Sequence, residues 1–287
     1  MPEDTDSLPV RVNRLRDEDR YDEALPILRE AFAAGEPEAA RLYALSLMET
    51  GNYPAARDVL VEAVHKRGQV RLAGLLGDVA DDLDEPEVAE PAYLTAIAAE
   101  DEEALNDYGV FLRGQERYPE AVEVLERAIA QGDNLAATNL VSLYFDDLGD
   151  LYTAERLALR YLNEEHPSTY VALANVHAEQ GRLDEAEAAF REAIRLDAPL
   201  VHQNYALFLW QKRADTAGAE REFRLAEDSD EPGWGYELGS FLVEQDRRDE
   251  ALDILAWAAS WGDVEAGKVL AEIDPEGHAE AARGPEA

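Results

Sequence analysis

The strongest constraint on this chain is an alanine that returns every 32 or 33 residues, at Ala24, Ala56, Ala89, Ala121, Ala154, Ala186, Ala219 and Ala251. Seven residues after each stand Ala31, Ala63, Ala96, Ala128, Tyr161, Ala193, Ala226 and Ala258. Four residues after each stand Leu28, Leu60, Tyr93, Leu125, Ala158, Phe190, Phe223 and Leu255. Positions i, i+4 and i+7 share one face of a helix, so every interval contains a helix with one apolar stripe. Twelve residues before the anchors come Ala44, Gly77, Gly109, Ser142, Ala174 and Gly239, small enough for a preceding helix to cross closely. Asp19, Gly51, Asp84, Gly149, Gly181 and Asp246, five before their anchors, mark the turn between the two helices. Pro37, Pro167, Pro199 and Pro232, thirteen after theirs, are expected to open the next helix, where a missing N–H costs nothing. The unit is helix, turn, helix, turn, and the fold class is all-α.

This pattern resembles the tetratricopeptide repeat family, whose signature puts bulky and small residues on the first helix and Ala, Phe and Ala on the second. The best copy runs from Tyr170 to Pro199, with Leu173, Ala174, Gly181, Leu183, Ala186, Phe190 and Ala193. The resemblance covers about Leu8 to Ile273 and implies a right-handed superhelical solenoid of antiparallel helix pairs. On this reading residues 8–273 form a single solenoid of about eight helix pairs. Residues 263–273 form a closing helix over the last apolar face, and 1–7 and 274–287 are flexible ends. The interval falls short of the family's 34, Arg11 and Val12 stand at the first helix contact, and Glu227 replaces an apolar residue in the seventh copy. Anchors two copies apart are always 65 residues apart, which suggests duplication of a paired unit.

Charge narrows the function. The 287 residues carry 63 acids against 26 Lys plus Arg, a formal net charge of -37, which argues against direct nucleic-acid binding. Cysteine is absent, so disulfides and thiolate chemistry are excluded, and neither a signal sequence nor a membrane span is read; the expectation is a cytoplasmic protein. No phosphate loop, metal-spaced histidine pair or nucleophile elbow occurs, and no cofactor is called for. The histidines, His65, His166, His177, His202 and His278, are scattered, and His177 occupies a core position of its helix. Asp78, Asp81, Asp82, Asp84 and Glu85 are dense but lack the loop pattern that wraps calcium. From Leu72 to Leu112 there is no Lys or Arg, while 12 acids crowd the same 41 residues. The stretch is either a solubilising face or an attractor for a basic partner.

In the family, first helices line a concave groove that binds extended peptides. Carried onto this chain, the inward positions are Arg41, Arg71, Asp78, Asn106, Asp107, Arg113, Asn139, Asp146, Asn175, Asn204, Tyr205, Phe208, Lys212 and Tyr236. An asparagine amide both donates to and accepts from a peptide backbone, which suits Asn106, Asn139, Asn175 and Asn204 to that task. They can equally be plain polar helix surface. The lysine clamp with which some members hold a carboxyl terminus is missing beside them. Tyr205, Phe208 and Tyr236 form either an aromatic pocket or part of the core. Six residues after the last two anchors, where earlier copies are polar, stand Leu225 and Trp257, with Trp261 one turn on. Either the closing helix covers these rings, which is the expectation taken, or they form a patch for self-association. The sequence therefore reads as a non-catalytic scaffold for a protein or peptide partner, net basic and extended. The alternative is a self-associating structural protein that dimerises through its C-terminal repeats.

Overall fold

The anchor alanines are all fully buried, and the helices follow from that. The computed structural model describes residues 7–275 apart from Asp19 and Pro37; the expectations for those two, for His278 and for the extreme ends lie outside the described residues. Seventeen α-helices follow one another and no strand occurs among the described residues. First helices are α1 (Leu8–Asp17), α3 (Ala39–Glu49), α5 (Ala73–Asp82), α7 (Ala104–Gly114), α9 (Leu135–Ser142), α11 (Ser168–Glu179), α13 (Val201–Gln211) and α15 (Trp234–Glu244). Second helices are α2 (Tyr21–Ala34), α4 (Tyr53–Val61), α6 (Pro86–Ala98), α8 (Tyr118–Ala130), α10 (Leu151–Arg160), α12 (Leu183–Arg195), α14 (Thr216–Asp228) and α16 (Arg248–Ser260), and α17 (Val264–Ile273) follows. α4 and α9 run on into π-helical turns, Glu62–Lys66 and Leu143–Asp147. The chain forms two compact units, Met1–Asn139 and Leu140–Ala287, each with its own core.

The small residues do what the spacing demands. A Cβ placed on Gly77 would lie 2.6 Å from the ring of Tyr93, and one on Gly239 would lie 2.5 Å from Leu255. In both, the first helix of a pair crosses its second helix at the residue four beyond the anchor. The turn between the two helices is equally regular. Gly51, Asp84, Glu116, Gly149, Gly181, Ala214 and Asp246, each five before its anchor, all adopt left-handed φ between 55° and 75°. Glu116 and Ala214 do so without the glycine or aspartate that normally signals it.

Two local expectations change. Pro167 is the cap of α11, and Pro199 and Pro232 precede the first helical residue by two positions, so these prolines end the turns and do not open the helices. Tyr161, the single break in the alanine series seven beyond the anchor, is the cap where α10 stops, and the Arg160 guanidinium lies 5.2 Å over its ring.

Neighbouring repeats are latched by charge. Arg117 bonds Glu90 of the preceding second helix and Glu120 of its own, both at 2.7 Å. Arg182 does the same with Glu155 and Glu185, and Arg247 with Glu220 and Glu250. These arginines stand 65 residues apart, in every second repeat. Between α4 and α6 the pair is reversed, with Arg57 donating to Glu85 at 2.6 Å.

Candidate binding surfaces

In the first unit, Arg41 of α3 and Arg71 line a hollow of about 680 Å³ with Glu38, Val70, Leu72 and Leu75. The acids of the 72–112 stretch divide into two sets. Glu85 and Glu90 are held by Arg57 and Arg117 as described, and Tyr108 also donates to Glu90 at 2.7 Å. Among the described residues no cation pairs with Asp78 of α5 or Asp107 of α7. Tyr93 donates to Asp78 at 3.1 Å, yet burial, and after it the charge of Asp107, pushes the Asp78 carboxyl up to about 6. Burial raises Asp107 too, against the bond it accepts from the Asn106 amide at 3.3 Å. Asp81 is raised by burial and by Asp82. Low solvation and like charge both disfavour the ionised form of these carboxyls. Arg113 is half-buried at the end of α7.

The asparagines pair with one another. Asn139 donates its amide to Asn106 Oδ1 at 2.8 Å, within the first unit, and Asn106 is buried. In the second unit Asn175 donates to Asn204 Oδ1 at 3.0 Å, and Asn204 donates to the Leu200 carbonyl at 2.8 Å. Spacing placed these residues on equivalent helix faces; it carried no signal that they would bond each other. Asn139 and Asn175 are the half-buried donors of their pairs, with their amide oxygens left to accept.

The second unit gathers Asn175, Asn204, Phe208 and Lys212 around one hollow of about 210 Å³. Its charge is closed, since Lys212 donates to Glu179 at 2.6 Å. Tyr205 and Phe208 are buried, with ring centres 5.2 and 5.3 Å from that of Phe190; Phe208 keeps an edge on the hollow while Tyr205 belongs to the core. Tyr236 packs half-buried against the same core, and Asp146 is exposed in the π-helical turn. His177 is buried with Nε2 3.4 Å from Glu155, and neither ring nitrogen makes a hydrogen bond. Among the described residues no three histidine or acidic side chains converge as a metal site.

The expected cover over the tryptophans is absent. Leu225, Trp257 and Trp261 are 37%, 44% and 77% exposed. α17 buries Ala266 and Leu270 in the core it shares with α15 and α16, with Gly267 facing Ala259 of α16, and it does not cover Trp257. The sequence reading also missed Trp234, whose ring centre lies 4.7 Å from that of Trp257. Its position two residues past Pro232, at a helix start, gave no periodic signal.

Three tetratricopeptide repeat models match the chain, over residues 15–79, 75–136 and 167–198. No curated protein matches it. Among solved structures it is similar to a tetratricopeptide repeat protein of Parabacteroides merdae, at 17% identity and TM-score 0.57 over 82% of this chain and 96% of that one. Yeast Tom70 aligns at 14% identity and TM-score 0.69, over 92% of this chain, which spans 60% of Tom70. Human IFIT1, solved as a dimer with PPP-AAAA, aligns at 16% identity and TM-score 0.56, over 93% of this chain and 69% of that one. At these identities the likeness is one of fold.

Proposed function

Because the chain belongs to the tetratricopeptide repeat family, whose fold is generally a non-catalytic scaffold, we infer that it is a cytoplasmic interaction scaffold without a catalytic site of its own. Its partner is a protein that presents an extended, net-basic segment to the first helices. The observation that carries this reading is the Asp78 and Asp107 pair, half-buried on neighbouring first helices, with no cation paired to either among the described residues. A lysine or arginine of the partner placed between them relieves their like charge. Asn139 and Asn175 offer amide oxygens to the partner's backbone. A triphosphorylated oligonucleotide, the ligand in the IFIT1 structure, does not suit a surface with this excess of acid.

The test begins with affinity capture and mass spectrometry, followed by isothermal titration with the recovered segment. Asn139→Ala and Asn175→Ala, tested as separate variants, each lose one hydrogen bond worth about 1 kcal/mol, so binding weakens about fivefold in each. Unchanged affinity in the folded variants removes the asparagine reading. A second reading, dimerisation through Leu225, Trp257 and Trp261, has their exposure in its favour. It requires light scattering to show a concentration-dependent dimer.

A further inference from the structure

Three of the four tryptophans, Trp234, Trp257 and Trp261, meet at the corner where the α14 to α15 turn faces the start of α17. Gly235 makes the meeting possible. A Cβ there would lie 2.7 Å from that of Ala258, so only glycine lets α15 approach α16 closely enough to set Trp234 against Trp257. The Trp257 and Trp261 ring centres are 6.4 Å apart at 52°, a wedge open to solvent beside a hollow of about 300 Å³.

The charges around this wedge are of one sign. Asp230, Glu231 and Asp263 line the hollow and no Lys or Arg does. Glu231 is spent, because its carboxylate accepts the backbone N–H groups of His202 and Gln203 at 3.2 and 2.9 Å. Asp263 caps α17, and Glu237 sits in the first turn of α15, so the partial positive ends of both helices are already met by acids. The nearby cations are engaged elsewhere: Lys268 with Glu265, Arg224 with Glu227 and Glu250, and Arg248 with the Ile273 carbonyl.

Elsewhere the protein lays its own arginines on aromatic rings, Arg67 over Phe32 at 3.9 Å and Arg213 over Phe208 at 5.8 Å. The tryptophan corner has the best faces for such a contact, and among the described residues no cation lies over them. A second copy of the chain is a poor occupant, since pairing two such corners would juxtapose acidic rims in a molecule of net charge -37. We propose that the Trp234, Trp257 and Trp261 corner is a binding site for an arginine side chain of a partner protein. The guanidinium stacks on indole while Asp230 and Asp263 supply the opposing charge. The site does not rest on the reading of Asp78 and Asp107 as a binding surface.

The test uses the full chain labelled at the indole nitrogens, titrated with acetyl-Gly-Arg-Gly-amide to about 50 mM, a range suited to a single weak side-chain contact. Trp210, packed on Phe223 and Phe241, is the internal control. The expected result is movement of the three corner signals without Trp210. The same peptide with citrulline, a neutral isostere of arginine, should bind about fivefold more weakly or worse. Trp261→Leu, at a position 77% exposed and therefore safe for folding, and Trp257→Leu should each weaken the arginine peptide several-fold. Equal binding of citrulline and arginine, no movement of the corner signals, or a concentration-dependent dimer that shields them overturns the proposal.

Discussion

The first helices of the two units handle charge in opposite ways. In the second unit Lys212 meets Glu179 and the hollow beside Asn175 and Asn204 is electrically closed. In the first unit Asp78 and Asp107 are weakly solvated, no cation pairs with either among the described residues, and burial pushes the Asp78 carboxyl up to about 6. Both surfaces come from the same kind of repeat and from equivalent helices, so the fold does not set the difference. It is set by which side chains were spent on holding the repeats together: Arg57 and Arg117 are bound to Glu85 and Glu90. A scaffold that uses its arginines as latches leaves its open acids to be neutralised from outside.

The largest effect should come from removing that open charge. An Asp78→Asn, Asp107→Asn double variant should lose about thirtyfold in affinity for the basic segment, and its association rate should depend less steeply on salt. Glu179→Gln in the second unit, where the acid is exposed and already paired, should change affinity less than about twofold. Titration of both variants at two ionic strengths decides the matter, and equal losses would erase the contrast between the units.

Next in size is the pH dependence of stability. The folded pKa of Asp78, about 6, lies above the unfolded value, so protonation favours the folded state. Its contribution is fully present below about pH 4 and is lost as pH rises through 6. A rise of this size from the ordinary aspartate value corresponds to about 3 kcal/mol, reduced to about 1–2 because the carboxyl is partly solvated. Asp78→Asn should therefore raise stability at pH 7 by about 1–2 kcal/mol and flatten the curve between pH 4 and 6. Denaturant unfolding at several pH values reads this directly; an unaltered slope means that Asp78 is solvated.

The smallest effect separates stability from charge. Ala214 holds a left-handed turn at φ 55° beside Arg213, and Ala214→Gly relieves about 1 kcal/mol of backbone strain without touching any charge. The melting temperature should rise by a few degrees while affinity for the basic segment stays constant. A change in affinity would show that rigidity of the second unit, and not charge alone, governs binding.

Much of this architecture was legible beforehand because helix packing is periodic. The buried anchors and the close crossings at Gly77, Gly109 and Gly239 are all set by one side chain meeting one partner at a fixed spacing. What escaped was contact between residues with no periodic relation. Glu116 and Ala214 enter the left-handed turn because the helices on either side leave the chain no other path, although their own preferences oppose it. The Asn106 to Asn139 and Asn175 to Asn204 bonds depend on side-chain reach, which spacing does not encode. Trp257 was expected under α17 because apolar rings are normally covered, yet the angular offset of one residue from Ala258 turns it to water.

The arginine latches also carry a phase. Arg117, Arg182 and Arg247 each reach back to the residue after the preceding anchor, and they recur with the 65-residue double interval. Excising the two repeats anchored at Ala121 and Ala154 would bring Glu90 opposite Arg182, and the latch would close again. Excising only the first of them would bring Glu90 opposite Asp150, acid against acid. Loss of two repeats together thus keeps this latch, whereas loss of one exchanges it for a like-charge contact costing about 0.5 kcal/mol.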